Sequence, residues 1–236
     1  MPSIEYAPNL SVQFNGATPR LCDFKLMVFD MDSTLINIEC VDEIADAAGL
    51  KAEVAAITEA TMQGIITDFK DSLRQRVALL RGIPLSHLEQ VYTERLRMNP
   101  GAQVLVNAAR SAGLKTLLVS GGFTFFADRV KTTLGIDFAR SNQLGIRDGI
   151  LTGRLVDQCW GDICDGAEKR RTLLELASLM GIAPEQAIAV GDGANDLPMM
   201  AVAGLSVAYH AKPKVRAQAN VAINEGGLDR LLEWLR

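Results

Sequence analysis

Apolar and polar residues are arranged along the chain in two different ways. The run Leu26–Phe29 is apolar throughout and has the length of a strand, which is typical of a parallel sheet covered on both faces. From about residue 39 to residue 99 the apolar positions recur at helical spacing, in four successive stretches with no strand-like run among them. We therefore predict one buried strand followed by a module of four short helices.

From Pro100 onward, helix-like and strand-like stretches alternate, with a hairpin signal at Asp148-Gly149. This alternation predicts an α/β fold, a doubly wound parallel sheet with a Rossmann-like core. The helical module is then a cap inserted into that core. We predict a discontinuous core domain at residues 1–37 and 100–236 and a cap domain at residues 38–99. The first two dozen residues have weak periodicity and are predicted to be a short lead-in, without a separate regulatory domain.

Composition excludes several classes of protein. The chain has 236 residues, 48% of them hydrophobic and 22% charged, which is ordinary for a globular domain. Its formal net charge of −4 provides no basic footprint, so we expect no nucleic-acid partner. The chain has no signal-peptide pattern and no apolar run long enough to span a membrane. The four cysteines form no metal-like cluster, so we predict free thiols and a cytoplasmic location, as a monomer or homodimer.

Three predicted strands end in loops rich in glycine and polar groups. Because ligands bind outside the carboxyl ends of the strands in an open parallel sheet, we expect these loops to meet at one edge. Each loop alone could be an ordinary cap or turn, but three together at corresponding strand ends favour a functional site. The loops are DMDST with Asp30 and Asp32, SGG with Ser120, Gly121 and Gly122, and GDGAND with Asp192, Gly193, Asn195 and Asp196.

Phosphoryl transfer through a carboxylate is the chemistry that fits this set. Mg²⁺ prefers oxygen ligands, and it would offset the repulsion between Asp30 and Asp32. One aspartate could attack phosphorus, while a second carboxylate transfers protons. The Ser120 hydroxyl and the glycine amides could bind the non-bridging oxygens. Lys169 could supply a positive charge, but its place in a helix by itself favours a solvated surface lysine.

The motifs DMDST, VSGG, Lys169 and GDGAND, in this order, resemble the signature of the haloacid dehalogenase superfamily of phosphohydrolases. The resemblance runs from about Leu26 to the C terminus. It implies that Asp30 is the nucleophile and a metal ligand, and that Asp32 is the general acid and base, with its backbone carbonyl on the metal. It also implies that Asp192 completes the metal shell and that Asp196 orients Lys169 or its loop. The residues implied to hold or line the phosphoryl group are Ser120, Gly121, Gly122, Lys169, Gly193 and Asn195.

The stretches DMDSTLINIECVDEIADAAG and SLRQRVALL resemble, more narrowly, the phosphoserine phosphatase subgroup of this superfamily. That resemblance implies that Glu39 faces the substrate ammonium, that Arg76 binds the substrate carboxylate, and that Met62 and Phe69 shield the site. It implies Mg²⁺-dependent hydrolysis of O-phospho-L-serine to L-serine and phosphate through an aspartyl-phosphate, the last step of serine biosynthesis.

Two alternatives stay open at this point. A related phosphatase or phosphotransferase could act on phosphothreonine, phosphohomoserine or histidinol phosphate, since a methyl group contributes only about 1–3 kcal/mol of discrimination. A phospho-accepting receiver module also uses an acidic Mg²⁺ site on a parallel sheet, although it needs neither the Asp-x-Asp spacing nor the helical insertion.

Overall fold

The protein is built around a parallel sheet with antiparallel hairpins at both edges. The computed structural model describes residues 3–14, 16–63 and 65–236, except for the side chain of Met62. In this described part the sheet has nine strands, in the order β1-β2-β9-β8-β7-β3-β4-β5-β6. The strands are β1 (Ile4–Ala7), β2 (Leu10–Val12), β3 (Leu26–Phe29), β4 (Lys115–Phe123), β5 (Phe138–Arg147), β6 (Ile150–Val156), β7 (Ala187–Gly191), β8 (Leu205–Tyr209) and β9 (Val221–Ile223). The helices are α1 (Cys40–Ala47), α2 (Lys51–Met62), α3 (Phe69–Leu79), α4 (Leu85–Gln90), α5 (Ala102–Ser111), α6 (Thr124–Leu134), α7 (Gly166–Met180), α8 (Leu197–Met200), α9 (Pro213–Arg216) and α10 (Leu231–Trp234).

The six central strands, from β9 to β5, are parallel, and β3 lies between β4 and β7. Successive β3 side chains point to opposite faces, where they join two separate apolar clusters: Met27 and Phe29 in one, Leu26 and Val28 in the other. Helices therefore cover the sheet on both faces, which explains why β3 is apolar throughout. The predicted fold class, a doubly wound parallel sheet, is confirmed.

The helical module comprises α1 to α4 and a π-helical turn at Val91–Arg95, and its four predicted helices are confirmed. The two chain segments that connect it to the sheet lie side by side. The Asn37 amide donates to the Arg97 carbonyl at 3.0 Å, and Ile36 forms a bridge with Met98. The Asn99 side chain donates to the carbonyls of the first segment. The division into core and cap domains stays a prediction.

The hairpin of β5 and β6 contacts the helical module, although it belongs to the second chain segment of the predicted core. The Gly82 amide donates to the Leu151 carbonyl and the Leu151 amide to the Ile83 carbonyl, both at 2.9 Å. Gly153 has a φ of +71°, and a Cβ there would lie 2.7 Å from the Cβ of Arg81. Glycine thus allows the hairpin to pack directly against the end of α3.

The first two dozen residues, predicted to be a short lead-in, contain two strands. β1 pairs with β2, and β2 pairs antiparallel with β9, so the first segment extends the sheet. Leu10 is fully buried, and the ring of Phe14 packs edge-on against Trp234 at 5.5 Å. β1 is mostly exposed and β2 has only three residues, so neither leaves a periodic signal in the sequence.

All four cysteines are free thiols, as predicted, with Cys40 and Cys164 buried and Cys22 and Cys159 exposed. None of the described helices is both long and apolar enough to cross a membrane.

Leu118 and Leu179 provide a matched test of which leucine stabilises the fold. Leu118 is fully buried in β4, whereas Leu179 is 85% exposed near the end of α7. We expect Leu118→Ala to lower the free energy of unfolding by about 2–5 kcal/mol, because it leaves a cavity in a packed core. We expect Leu179→Ala to change it by less than about 0.5 kcal/mol. Urea unfolding followed by tryptophan fluorescence measures both, and equal losses would contradict this description of the core.

Candidate active site

The three loops singled out in the sequence meet at one edge of the sheet. β3 is hydrogen-bonded to β4 on one side and to β7 on the other, with Phe29 in register with Leu118 and Val190. Asp30 therefore follows β3 next to Ser120 near the end of β4, and Asp192 follows β7. This order brings the acidic loops together across neighbouring strands.

Lys169 connects two of these loops. It lies in the second turn of α7, its side chain is fully buried, and its Nζ contacts Asp30 Oδ1 at 2.5 Å and Asp196 Oδ1 at 2.7 Å. Burial by itself lowers the pKa of Lys169, but the attraction of the two carboxylates outweighs it and raises that pKa. The interpretation of Lys169 as a solvated helix lysine was wrong, because its partners lie far from it in the sequence.

Asp30, Asp192 and Asp196 each direct a carboxylate oxygen into one group, within 4.8 Å of one another. Burial and the repulsion of Asp196 raise the pKa of Asp30 well above its ordinary value. Burial and the same neighbour raise the pKa of Asp192 to about 7. Three carboxylates around one lysine leave excess negative charge in a poorly solvated place. This all-oxygen donor set suits a hard divalent cation, so the residues present fit a metal ion.

Asp196 differs from the other two carboxylates because hydrogen bonds occupy both of its oxygens. Oδ1 contacts Lys169, and Oδ2 accepts from the amides of Asp192 and Gly193 at 3.1 and 3.0 Å. A Cβ at Gly191 would lie 2.4 Å from Asp196 Cγ, so glycine is needed for this approach. These contacts are the ones that its predicted orienting role requires. The predicted metal ligands were Asp30, Asp32 and Asp192. The acidic group in the structure contains Asp30 and Asp192, but its third member is Asp196 and not Asp32.

The Asp32 side chain is directed toward the start of α1. The Cys40 amide donates to Asp32 Oδ2 at 3.0 Å, and the Cys40 thiol donates to Oδ1 at 3.1 Å. Burial, followed by repulsion from Glu39, raises the pKa of Asp32 to about 7. A carboxyl group with such a pKa can both give and take a proton near neutral pH. Sequence reasoning missed Cys40, and the only available signal was its position just after Glu39.

The SGG loop, residues 120–122, belongs to the end of β4, where the pairing with β5 is irregular, and it lies beside Asp32 and beneath the helical module. The Gly122 amide donates to Ser120 Oγ at 2.8 Å, and a Cβ at Gly122 would lie 3.2 Å from Asp32 Oδ1. A Cβ at Gly121 would lie 3.0 Å from Cζ of Phe69, at the start of α3. Phe69 therefore covers this loop, and a larger side chain at either glycine would crowd the site.

The remaining predicted residues are placed around this centre. Glu39 is exposed and accepts a hydrogen bond from Ser33 Oγ at 2.7 Å. Arg76 Nη1 lies 3.8 Å from Asp42 Oδ1, and the Arg76 Nε is buried without a hydrogen-bond partner among the described residues. Such an orphaned donor requires an acceptor that the described chain does not provide.

Asn195 lies in a short turn, Ala194–Asp196, and a Cβ at Gly193 would lie 2.3 Å from Asn195 Oδ1. The prediction for the Met62 side chain falls outside the described part of the molecule. The roles assigned to all these residues stay predictions.

Comparison with known proteins gives one consistent result. The haloacid dehalogenase-like hydrolase family model matches residues 27–201. A phosphoserine phosphatase of Polaromonas sp. is 68% identical over 238 residues, covering 100% of both chains. A solved phospho-aspartyl intermediate analogue of phosphoserine phosphatase is 38% identical with a TM-score of 0.82, covering 90% of this chain and 99% of its own. A substrate-bound phosphoserine phosphatase complex is 37% identical with a TM-score of 0.82 and the same two coverages.

Replacing Lys169 tests whether the buried ion pairs stabilise the protein. We expect Lys169→Met to lower the free energy of unfolding by about 3–5 kcal/mol, because it leaves Asp30 and Asp196 buried without their counter-charge. The neighbouring Arg170 is exposed, so we expect Arg170→Met to change stability by less than about 0.5 kcal/mol. Urea unfolding in the presence of a chelator measures both. Equal losses for the two variants would show that Lys169 is not the counter-charge described.

Proposed function

This chain belongs to the haloacid dehalogenase-like hydrolase family, and from that premise we propose that it is a Mg²⁺-dependent phosphatase that hydrolyses O-phospho-L-serine to L-serine and phosphate. The observation that carries the proposal is the meeting of Asp30, Lys169 and Asp192 beneath a module that presents Glu39 and Arg76. The 68% identity to a phosphoserine phosphatase over the whole chain supports the choice of substrate.

In the first half of the proposed reaction, a carboxylate oxygen of Asp30 attacks phosphorus. The bond between phosphorus and the serine oxygen breaks, and its electron pair stays on that oxygen. Asp32 donates a proton to the oxygen, so that serine leaves as a neutral alcohol. Asp30 is then an aspartyl-phosphate. The similarity to a solved phospho-aspartyl analogue supports this intermediate.

In the second half, water attacks the phosphorus of the aspartyl-phosphate. Asp32, now a carboxylate, takes the proton from that water. The bond between phosphorus and Asp30 breaks, phosphate leaves, and both carboxyl groups return to their starting states. A pKa of about 7 suits Asp32 to this alternation.

Asp30 and Asp192, with the backbone carbonyl of Asp32, are proposed to hold the Mg²⁺. When bound, the ion would offset the charge of these carboxylates and polarise a phosphoryl oxygen. Lys169 holds Asp30 in place and supplies positive charge to the phosphoryl group. The hydroxyl of Ser120 and the amides of the SGG loop, with Asn195 and Gly193 beside them, bind the non-bridging oxygens.

The serine part of the substrate is proposed to bind the helical module. Arg76 has an orphaned, buried Nε, and a planar guanidinium suits a carboxylate. Glu39 provides a negative charge for the ammonium group. Phe69 covers the SGG loop and excludes bulk water during the attack on phosphorus, and the Met62 side chain is proposed to assist it.

We further propose that residues 38–99 act as a cap that opens and closes on a core of residues 1–37 and 100–236. Asp162 of the core accepts from Lys70 at 2.8 Å and from Arg74 at 2.7 Å, both on α3. Opening must break these surface ion pairs, which are individually weak, and also the backbone hydrogen bonds that join Gly82 and Ile83 to Leu151 of the hairpin. In this proposal the enzyme acts in the cytoplasm as a monomer or homodimer, at the last step of serine biosynthesis.

The decisive assay combines substrate, metal and nucleophile. We expect the purified chain to release phosphate from O-phospho-L-serine with added Mg²⁺, to lose activity in excess chelator, and to regain it when Mg²⁺ is restored. Asp30→Asn should lower kcat at least about 10³-fold, because it removes the attacking oxygen while keeping the shape of the side chain. Circular dichroism checks that the variant is folded. Full turnover by Asp30→Asn, or faster turnover of phosphothreonine, phosphohomoserine or histidinol phosphate, would contradict the proposal.

Arg76→Ala tests the recognition of the substrate carboxylate. We expect kcat/KM for phosphoserine to fall about 10- to 100-fold, the value of a charge-assisted hydrogen bond, with little change for an aryl phosphate that has no carboxylate. Arg74→Ala is the matched control, because Arg74 lies on the same helix but binds Asp71 and Asp162, so any effect of this change on cap movement should be equal for the two substrates. Similar losses on the two substrates would remove Arg76 from the recognition site.

A further inference from the structure

We propose that Cys40 is a positioning residue that orients the Asp32 carboxyl group toward the departing oxygen of the substrate. This inference rests on the role of Asp32 in the proposed function, and it adds a residue that does not touch the substrate. Its basis is the pair of hydrogen bonds from Cys40 to the two oxygens of Asp32, at 3.0 and 3.1 Å. No other described residue forms a hydrogen bond with that carboxylate.

Cys40 is well placed to hold a carboxylate because it is the first residue of α1. Its amide is one of those that the helix itself leaves unpaired, and the N-terminal end of a helix attracts negative charge. The side chain of Cys40 is fully buried, so water cannot replace Asp32 as the acceptor of the hydrogen bond from the thiol. The amide and the thiol together define the rotation of the carboxyl plane.

The loop between Asp32 and Cys40 is itself held closed. The Ser33 amide donates to the Ile38 carbonyl at 3.2 Å, and Ser33 Oγ donates to Glu39 at 2.7 Å. Ser33 has a φ of +58°, a conformation that few residues adopt unless the surrounding contacts require it. These contacts hold the start of α1 against the Asp32 loop, so the module proposed to bind the serine part also orients the acid.

This role predicts which substrates depend on Cys40. A serine oxygen leaves as a basic alkoxide unless it receives a proton, so cleavage of phosphoserine needs a well-aimed Asp32. p-Nitrophenolate is stable as an anion, and its release needs no acid. Loss of the thiol should therefore slow the first step for phosphoserine while leaving the first step for p-nitrophenyl phosphate nearly unchanged.

The experiment measures single turnovers with full-length enzyme in excess over substrate and with Mg²⁺ present. For Cys40→Ala we expect serine release from phosphoserine to slow about 10-fold, a part of the general-acid contribution, while p-nitrophenol release stays within about 2-fold. KM for phosphoserine should stay within about 2-fold, because Cys40 does not contact substrate. Cys40→Ser keeps a hydrogen-bond donor, and we expect it to restore most of the lost rate.

Two controls separate positioning from general damage to the helix. Val41→Ala removes buried volume from the same turn of α1 and should lower Tm without changing the ratio of the two release rates. In an Asp32→Asn background, Cys40→Ala should cause no further loss, because the two residues act as one unit. Equal slowing of both substrates, no slowing at all, failure of Cys40→Ser to restore the rate, or additive losses in the double variant would each overturn the inference.

The same design distinguishes this inference from the proposed function. If wild-type enzyme did not hydrolyse phosphoserine, the proposed substrate would be wrong. The comparison would then use any alkyl phosphomonoester that the enzyme does hydrolyse, because the inference depends on the basicity of the leaving oxygen and not on serine itself. An alkyl-to-aryl difference in Cys40→Ala would still support the role of Cys40, and its absence would still overturn it.

Discussion

The buried contact of Lys169 with Asp30 and Asp196 is the interaction on which the rest of the site depends. Buried charges are costly unless they are paired with good geometry. Here one partner follows β3, another lies in the turn after β7, and the third comes from the second turn of α7. They meet only because β7 and β3 are neighbours and α7 packs against the turn after β7. The strand order that buries the apolar core therefore also assembles the charged centre.

That centre has an excess of negative charge, and the excess explains its chemistry. Burial raises the pKa values of Asp30 and Asp192, and so does the repulsion of Asp196, which Lys169 offsets only in part. Asp196 uses both oxygens to hold the lysine and the loop amides. One carboxylate oxygen of Asp30 and one of Asp192 lie within 4.8 Å of each other, and a divalent cation bound between them would relieve the repulsion between the two carboxylates. A site of this kind sacrifices some stability of the folded state for function.

The helical module contributes to this centre as well as covering it. Phe69 packs over the SGG loop, and the first residue of α1 holds Asp32. Lys70 and Arg74 connect α3 to Asp162, at the approach to the helix that carries Lys169. The hairpin of β5 and β6 pairs with the loop after α3. In the proposed function, these contacts of the module with Asp32 and with the SGG loop would couple binding of the serine part to proton transfer.

Features that depend on neighbouring residues could be predicted from the amino-acid sequence. The apolar run of β3, the four helices of the module and the polar, glycine-rich loops were all evident, and the resemblance to a family named the residues in them. Features that join distant segments could not be predicted in this way, because they depend on contacts that form when the chain folds. β2 has too few residues to show a pattern, and it becomes a strand by pairing with β9 near the other end of the chain. The residues around Lys169 in the sequence predict a surface lysine, and those around Cys40 predict an ordinary helix residue. The partners of both residues are brought close only by folding. Periodicity in the sequence indicates which face of a segment is buried, but it does not indicate which other segment covers that face.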